Sequence, residues 1–126
     1  MTLDIVTPLG RIFKGEIKEA TFPGSEGEFG VLEGHSPLMT NLKPGVITVK
    51  KPDGKEEMIA INWGYVEVTP QNVNVLADGA VPIKGSDESE IAKSIEKAKE
   101  LLKQATDSDA LVASVSAKIE SAARNI

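Results

Sequence analysis

The sequence predicts an α+β protein in two parts, an N-terminal antiparallel β-sandwich followed by a C-terminal antiparallel two-helix hairpin. All 11 glycines and all 7 prolines precede Ser86. Gly and Pro interrupt regular structure at turns, whereas Ala, Lys, Glu and Leu, which are frequent after that point, favour helices. The predicted β-sandwich domain therefore covers residues 1–85, and the predicted helical hairpin covers residues 86–126.

In the first part, short apolar strands are separated by turn residues about every 8–12 positions, a spacing typical of sandwiches and barrels. Val66 and Val68 alternate with polar neighbours, and Val73 and Val75 continue the same period of two. Between two such strands lies Pro52-Asp53-Gly54, which predicts a type I turn closed by a left-handed glycine. The pattern predicts a series of β-hairpins.

In the second part, two apolar stripes recur at helical spacing. Ser86 or Asp87 can cap the first helix, and Glu90 follows Asp87 by three residues, as in a capping box. The polar segment 106–109 interrupts the pattern and supplies a second cap. The stripes consist of Ile91, Ile95, Ala98, Leu102 and Ala105 in the first helix, and of Leu111, Val115, Ile119, Ala122 and Ile126 in the second.

The two stripes contain many alanines and few large side chains, so the hairpin has little apolar surface to bury. Fully burying a Leu or Ile contributes about 1.5–3 kcal/mol, and Ala contributes far less. The hairpin must therefore pack against the β unit or against a partner to be stable, and we expect this docking to be weak. Two interpretations stay open: the hairpin packs permanently on the sheet, or it moves between two positions.

Composition excludes several classes of protein. The formal net charge of −5 argues against a general nucleic-acid binder, which needs a basic surface to neutralise phosphates. The absence of Cys removes disulfides and thiolate metal sites. Neither a transmembrane-length apolar run nor a signal peptide is visible. We expect a cytosolic or compartment-internal protein that inserts no segment into lipid.

No catalytic or cofactor motif is present. The chain has no P-loop, and the closely spaced glycines between Gly24 and Gly34 do not form a dinucleotide fingerprint. His35 is the single histidine and cannot build a metal site alone. Although Ser36 and several glutamates lie near it in sequence, adjacent residues of an extended chain point to opposite faces. The sequence therefore predicts no catalytic residue, no metal and no cofactor.

The segment from Pro23 to Leu38 contains too many glycines for an ordinary strand. Glycines permit positive φ angles and close approach of the backbone. A glutamate-bearing loop followed by His-Ser-Pro-Leu would form a shaped, partly acidic surface. Two interpretations remain, a protein-docking edge and a set of plain tight turns.

The same segment closely resembles the epsilon subunits of F-type ATP synthases. The resemblance rests on Gly24-Ser25-Glu26-Gly27-Glu28-Phe29-Gly30-Val31-Leu32-Glu33-Gly34-His35-Ser36-Pro37-Leu38 and on Leu42-Lys43-Pro44-Gly45. It extends to Gly64-Tyr65-Val66-Glu67-Val68 and the strand from Asn72 to Asp78. The order of a β unit and a helical hairpin agrees with it over the whole chain.

This resemblance implies a non-catalytic central-stalk subunit that couples rotation of the gamma subunit and the c-ring to ATP synthesis. It implies that Glu28 faces the polar loops of the c-ring and that His35 lies near gamma. It further implies a peripheral position on the cytoplasmic face of the bacterial inner membrane. The residues implied to bind partners are Glu28, Gly30, Gly34, His35 and Pro37.

The resemblance also implies that the hairpin folds against the sandwich, or extends along gamma and inhibits ATP hydrolysis at the alpha/beta catalytic head. Some bacterial members bind ATP through Asp-x-x-Arg-Ala at the start of the first helix, where this chain has Asp87, Glu90 and Ile91. Because Glu replaces the cation beside a triphosphate, we expect weak or no ATP binding. With only Lys118 and Arg124 as bases in the second helix, we expect weak inhibition.

Two other functions compete with this interpretation. A free-standing β-sandwich that binds a ligand such as a sugar would need exposed aromatic side chains, and only Trp63 and Tyr65 accompany the three phenylalanines. A small hydrolase around His35 would need partners that the sequence does not place beside it.

Overall fold

The computed structural model describes residues 1–84 and 87–123, with side chains up to Ser121. The strands are β1 (Thr2–Thr7), β2 (Gly10–Glu16), β3 (Glu19–Gly24), β4 (Gly27–Leu32), β5 (Leu38–Leu42), β6 (Gly45–Lys50), β7 (Glu56–Ile61), β8 (Gly64–Val68), β9 (Asn72–Ala77) and β10 (Ala80–Ile83). The helices are α1 (Glu88–Ala105) and α2 (Asp109–Ala123).

The strands form one hydrogen-bonded path that folds over on itself. Its order is β10-β7-β6-β3-β5-β8-β9-β1-β2, and β4 pairs with β3 beside this path. Where the path bends over, β3 and β5 are joined by a single pair, Gly24 opposite Leu42. We call β10, β7, β6, β3 and β4 the first half-sheet, and β5, β8, β9, β1 and β2 the second. The predicted sandwich is confirmed.

One strand pair departs from the predicted antiparallel arrangement. β1 lies parallel to β9, with Leu3 opposite Val73 and Ile5 opposite Val75. A short turn can only join antiparallel neighbours, whereas strands far apart in sequence are free of that constraint. The direction of β1 is therefore set by closure of the sandwich and not by a local loop.

The main core lies between the two half-sheets. Phe22, Ile47 and Ile59 of the first half-sheet pack in one cluster with Leu3 and Val66 of the second. Along β9 the exposed and buried positions alternate strictly, as the period of two predicts. The turn at residues 51–55 is also confirmed, because Gly54 adopts a φ of +88° and donates its N–H to Lys51 O.

The helical hairpin covers the outer face of the first half-sheet. Met58 and Ala60 of β7 point away from the main core and pack with Ala98, Leu102 and Ile119 of the hairpin. This second cluster gives β7 two buried faces, so residues 58–61 are all buried. The molecule thus has three layers: the second half-sheet, the first half-sheet and the hairpin.

Local caps define both helices. Asp87 caps α1, because its carboxylate accepts a hydrogen bond from the N–H of Glu90 at 2.9 Å. Ser108 caps α2 by accepting from the N–H of Leu111 at 3.1 Å. The alternative cap Ser86, the boundary residue Gly85, and the predicted helix residues Arg124 and Ile126 lie outside the described residues. The domain boundary therefore stays a prediction.

A charged contact closes the hairpin. Lys99 Nζ of α1 lies 2.6 Å from Glu120 Oε1 of α2 and 3.8 Å from Glu96. The hydrogen bond to Glu120 is the main reason that the pKa of Lys99 is raised above its ordinary value. The pair therefore stabilises the hairpin fully at pH values below the ordinary pKa of lysine. This stabilisation is lost only as the pH rises through the raised pKa of Lys99. We expect hairpin closure through this pair to be independent of pH near neutrality.

The interface between hairpin and sheet contains polar groups that lack partners. Within the described residues, the hydroxyls of Thr48 and Ser116 are buried and have no hydrogen-bond partner. Thr48 lies on the β6 face that carries Val46, and Ser116 lies on the buried face of α2. A buried hydroxyl without a partner costs about 1–3 kcal/mol. The hairpin is therefore docked less firmly than its apolar contacts alone would allow.

Replacing Ser116 by alanine should strengthen docking of α2. Removing the unsatisfied hydroxyl should add about 1 kcal/mol, which would slow hydrogen exchange of the α2 amides roughly fivefold. The matched control is Ser114→Ala, which makes the same change at an exposed position of the same helix. Equal slowing in both variants would mean that helix propensity, and not the buried hydroxyl, is responsible.

Candidate functional site

The turn that joins β3 to β4 has a conformation that requires glycine. Gly24 pairs with Gly27 across a two-residue connection, and Gly27 adopts a φ of +131°. A Cβ atom at Gly24 would lie 2.6 Å from the carbonyl oxygen of Gly27 and 2.9 Å from the ring of Phe29. The tight turn therefore fixes where β4 starts and which of its side chains face outward.

Glu28 is the first outward-facing side chain after this turn. The next residue, Phe29, points inward and packs on Phe22, with ring centroids 5.6 Å apart. Glu28 is 56% exposed, and its Oε2 accepts a hydrogen bond from Lys118 Nζ of α2 at 2.7 Å. The structure therefore places Glu28 on the surface and gives it a partner in the hairpin, which the sequence did not predict.

The segment from Leu42 to Gly45 packs against the same turn. Ser25 N–H donates to Asn41 O, and Lys43 N–H donates to Pro23 O, both at 2.9 Å. A Cβ atom at Gly45 would lie 2.7 Å from Pro23, so this contact also requires glycine. We call residues 23–28 with residues 43–45 the Glu28 end of the sandwich.

Helix α2 lies over the Glu28 end without filling the space beneath it. A cavity of about 210 Å³ remains there. Its sandwich wall includes Pro23, Glu28 and Pro44, and its helix wall includes Leu111 and Lys118. Leu111 is only half-buried, so apolar packing between α2 and this end is incomplete.

Three of the other predicted docking residues, Gly34, His35 and Pro37, lie beyond the opposite end of β4. Gly34 adopts a φ of +85° and donates its N–H to Pro70 O at 2.9 Å. His35 is half-exposed and donates its N–H to Leu32 O at 3.1 Å, while Pro37 is exposed just before β5. We call residues 33–37 the His35 end.

The structure therefore divides the predicted docking segment in two. Glu28 and Leu32 are four residues apart on an extended strand, a distance of about 13 Å. The His35 end begins one residue after Leu32. Between the two ends, Gly30 has neither a positive φ nor close neighbours, since a Cβ there would lie 4.0 Å from Ala20 O. Among the residues that the structure describes, none approaches position 30 closely enough to require glycine there.

The His35 end does not have the geometry of a catalytic site. His35 Nδ1 lies 2.6 Å from the carbonyl oxygen of Ser36, so this ring nitrogen is engaged with the adjacent backbone. A Ser-His-carboxylate mechanism would need the ring to bond a hydroxyl and a carboxylate. Across the described ranges, no group of three His, Asp or Glu side chains is arranged to hold a metal ion.

A cluster of charges lies beside the His35 end. The amino group of Met1 is 3.0 Å from Glu16 Oε2 and 3.7 Å from Glu33 Oε1. The hydrogen bond to Glu16 is the main reason that the pKa of the amino group is raised. The pKa of Glu16 is lowered, chiefly by the hydrogen bond from the Thr2 hydroxyl. These charges compensate one another at the edge of the sandwich.

Asp87 and Glu90 lie at a third place, at the start of α1. An open groove of about 700 Å³ separates this helix from β10, and it is lined by Glu90 and by Lys84, Lys93 and Lys97. The sequence alone did not predict this concentration of lysines around Glu90. The spacing of Lys93 and Lys97, four residues apart on one helical face, could have indicated part of it.

A row of apolar side chains, two exposed and two half-buried, crosses the outer face of the second half-sheet. Tyr65 of β8 pairs with Leu76 of β9, which pairs with Val6 of β1. Directly paired residues share one face of a sheet, and Leu76 is 61% exposed. Met39, at the start of β5 beside the His35 end, is also exposed on this face. We call Val6, Met39, Tyr65 and Leu76 the apolar row.

Neither α1 nor α2, over the residues described, is apolar enough along its length to cross a bilayer.

Comparisons with known proteins bear on the whole chain. Residues 1–83 match the family described as "ATP synthase, Delta/Epsilon chain, beta-sandwich domain". The chain is 54% identical over 124 residues to the ATP synthase epsilon chain of Nitratiruptor sp., covering 98% of this chain and 96% of that one. It is 51% identical over 125 residues to the Wolinella succinogenes epsilon chain, covering 99% and 95%.

A solved structure agrees with these likenesses. One chain in a cryo-EM structure of Euglena gracilis mitochondrial ATP synthase, containing OSCP, F1 and the c-ring, superposes with a TM-score of 0.62. It is 28% identical to this chain, and the match covers 90% of this chain and 72% of that one.

Proposed function

This chain belongs to the family of ATP synthase epsilon chains, and we propose that it is a non-catalytic central-stalk subunit that couples rotation of gamma and the c-ring to ATP synthesis. The observation that carries this proposal is likeness over nearly the full length of both chains, at 54% identity. Because the likeness includes the hairpin as well as the sandwich, the proposal concerns the whole protein. Its place would be peripheral, on the cytoplasmic face of the bacterial inner membrane.

We assign the gamma subunit to the apolar row together with the His35 end. Exposed apolar side chains grouped on one surface mark protein–protein contacts. The His35 end continues directly into β5, which carries Met39 of the apolar row. The hairpin covers the first half-sheet and leaves this face of the second accessible.

We assign the polar loops of the c-ring to the Glu28 end. Glu26 and Glu28 are both exposed there, and the turn that carries them is held by backbone hydrogen bonds to residues 41 and 43. A rigid acidic turn suits contact with polar or basic loops of a partner. The separation of the two ends allows two partners to bind at once.

The hairpin has a smaller proposed role than the sandwich. In this structure it lies against the sandwich, and extension toward the alpha/beta catalytic head would bring Lys118 and Arg124 near that partner. Lys118 is engaged with Glu28, and Arg124 lies outside the described residues. We propose that the hairpin inhibits hydrolysis weakly, because α2 offers so few basic side chains.

Affinity purification of tagged chain from mildly solubilised membranes tests the rotor function and the gamma assignment together. Gamma, the c-ring and the catalytic head should be recovered in fixed ratio. Replacing Leu76 by asparagine should lower recovery of gamma several-fold, since it removes the most exposed apolar side chain of the row. The matched control is Leu9→Asn, which replaces a fully exposed leucine in the β1–β2 turn.

The results separate two failures. If the wild-type chain is recovered alone or with a soluble partner, the rotor function is wrong and a free-standing binding module becomes the better explanation. If the wild-type chain recovers the motor and Leu76→Asn recovers it equally well, only the placement of gamma is wrong.

Calorimetric titration of the isolated chain with ATP should show no micromolar affinity. Asp87 is engaged as the cap of α1, and the Glu90 carboxylate lies in the groove where a triphosphate would need cations. Glu90→Arg should raise the affinity, because it replaces repulsion by attraction next to three lysines. Micromolar binding by the wild-type chain would show that Lys84, Lys93 and Lys97 outweigh the glutamate.

A further inference from the structure

The contact between Glu28 and Lys118 joins two parts of the chain that are 90 positions apart. Glu28 belongs to the acidic turn of the sandwich, and Lys118 belongs to the last half of α2. The hydrogen bond measures 2.7 Å, and both side chains are partly exposed, Lys118 at 43% and Glu28 at 56%. The pair is therefore open to solvent, and a cationic side chain of another molecule can take the place of Lys118 on the carboxylate.

Packing of α2 around the pair is incomplete on one side. The cavity beneath the helix is beside it, and both Leu111 and Val115 on the helix wall are only half-buried. Two residues before Lys118, Ser116 buries a hydroxyl that has no partner among the described residues, whereas Ile119, the residue after Lys118, is fully buried in the second cluster. The charge contact therefore supplements an apolar interface that is only partly packed, and we expect it to have a measurable share in docking.

We propose that Lys118 competes with a cationic side chain of the rotor partner for the Glu28 carboxylate, so that docking of α2 and partner binding at the Glu28 end oppose each other. The partner this surface fits is a polar loop carrying Lys or Arg. The inference rests on the proposed function in one respect, the assignment of a rotor partner to the Glu28 end. The contact that the partner would displace, between Lys118 Nζ and Glu28 Oε2, is present in this structure.

Linkage fixes the direction and the size of the effect. If a partner weakens docking of α2 by some factor, docked α2 weakens partner binding by the same factor. Exposed ion pairs contribute little to stability because water and salt screen them, which limits the coupling to about two- to fivefold. The coupling should decrease as ionic strength rises, since neither charge is buried.

Hydrogen exchange of the full isolated chain tests the pair first. Glu28→Gln and Lys118→Met should each speed exchange of the α2 amides about two- to fivefold, and the double variant should add nothing further. The charge exchange Glu28→Lys with Lys118→Glu should restore wild-type protection. The matched controls are Glu26→Gln in the same turn and Lys97→Met on α1, both exposed. Purely additive effects in this cycle would mean that the two side chains do not interact.

Binding to the purified motor depleted of this chain then tests the competition. Lys118→Met should bind about two- to fivefold more tightly than the wild-type chain, because Glu28 is released. Glu28→Gln should bind more weakly, and the charge-exchanged variant should also bind weakly although its hairpin is docked. This last variant separates loss of the carboxylate from loss of hairpin docking.

The outcomes are distinguishable. If the wild-type chain binds the motor and Lys118→Met binds with equal affinity, the competition is overturned and the proposed function stands. If the wild-type chain does not bind the depleted motor at any concentration, the proposed function fails and the partner assignment fails with it.

Discussion

Replacing Leu102 by alanine should release the hairpin from the sheet while the sandwich stays folded. Leu102 is fully buried in the second cluster, where it packs with Met58, Ala60 and Ile119. Truncating a buried leucine to alanine costs about 2–5 kcal/mol, which includes the cavity left behind. The hairpin contributes few large side chains to this cluster, so the loss is comparable with the whole free energy of its docking.

Hydrogen exchange resolved along the chain measures this effect. The amides of α1 and α2 should exchange at least about 30-fold faster, whereas those of β8 and β9 should keep their protection. The matched control is Gln104→Ala, which truncates an exposed side chain of the same helix. If strands and helices lose protection together, the hairpin and the sandwich unfold as one unit, and the two clusters are not independent.

Replacing Phe22 by alanine should instead destabilise the sandwich. Phe22 is fully buried between the two half-sheets, and its strand β3 pairs with β4, β6 and β5 at the fold of the path. Loss of a buried phenylalanine costs about 3–5 kcal/mol. For a domain of this size each kcal/mol lowers Tm by roughly 4–8 °C, so we expect Tm to fall by more than about 12 °C.

Thermal unfolding followed by circular dichroism measures the change in Tm. The matched control is Phe13→Ala, because Phe13 lies on β2 at the end of the path and is only partly buried. Phe22→Ala should also lose binding to the motor, since Phe29, which packs on Phe22, adjoins Glu28 on β4. A fall in Tm no larger than that of Phe13→Ala would contradict the assignment of Phe22 to the centre of the core.

Much of the local structure was predictable because it depends on neighbouring residues. The capping role of Asp87 follows from a carboxylate three residues before the N–H of Glu90. The turn at Gly54 follows from Pro-Asp-Gly, which needs no distant contact. The alternation along β9 follows from a strand with one buried face. In each case the deciding atoms lie within a few residues of one another.

The candidate site was predictable only in part. The sequence indicated the docking residues from Glu28 to Pro37 as one segment, whereas the strand between them carries Glu28 and His35 to opposite ends of the sandwich. Residues that are close in sequence are far apart in space when the chain between them is extended. The apolar row was missed because Leu76, Tyr65 and Val6 come from three strands, and only their register brings them together.

The two-part architecture, the caps and the turns follow from the order of residues alone, and so does membership among ATP synthase epsilon chains, through family likeness. The caps and turns depend on backbone preferences of neighbouring residues, and the family likeness depends on motifs that are continuous in sequence. Three sets of contacts depend instead on the folded chain: β1 lies parallel to β9, β7 is buried on both faces, and Lys118 pairs with Glu28. These contacts join residues tens of positions apart, and their partners are selected by closure of the sandwich and by the face on which the hairpin packs.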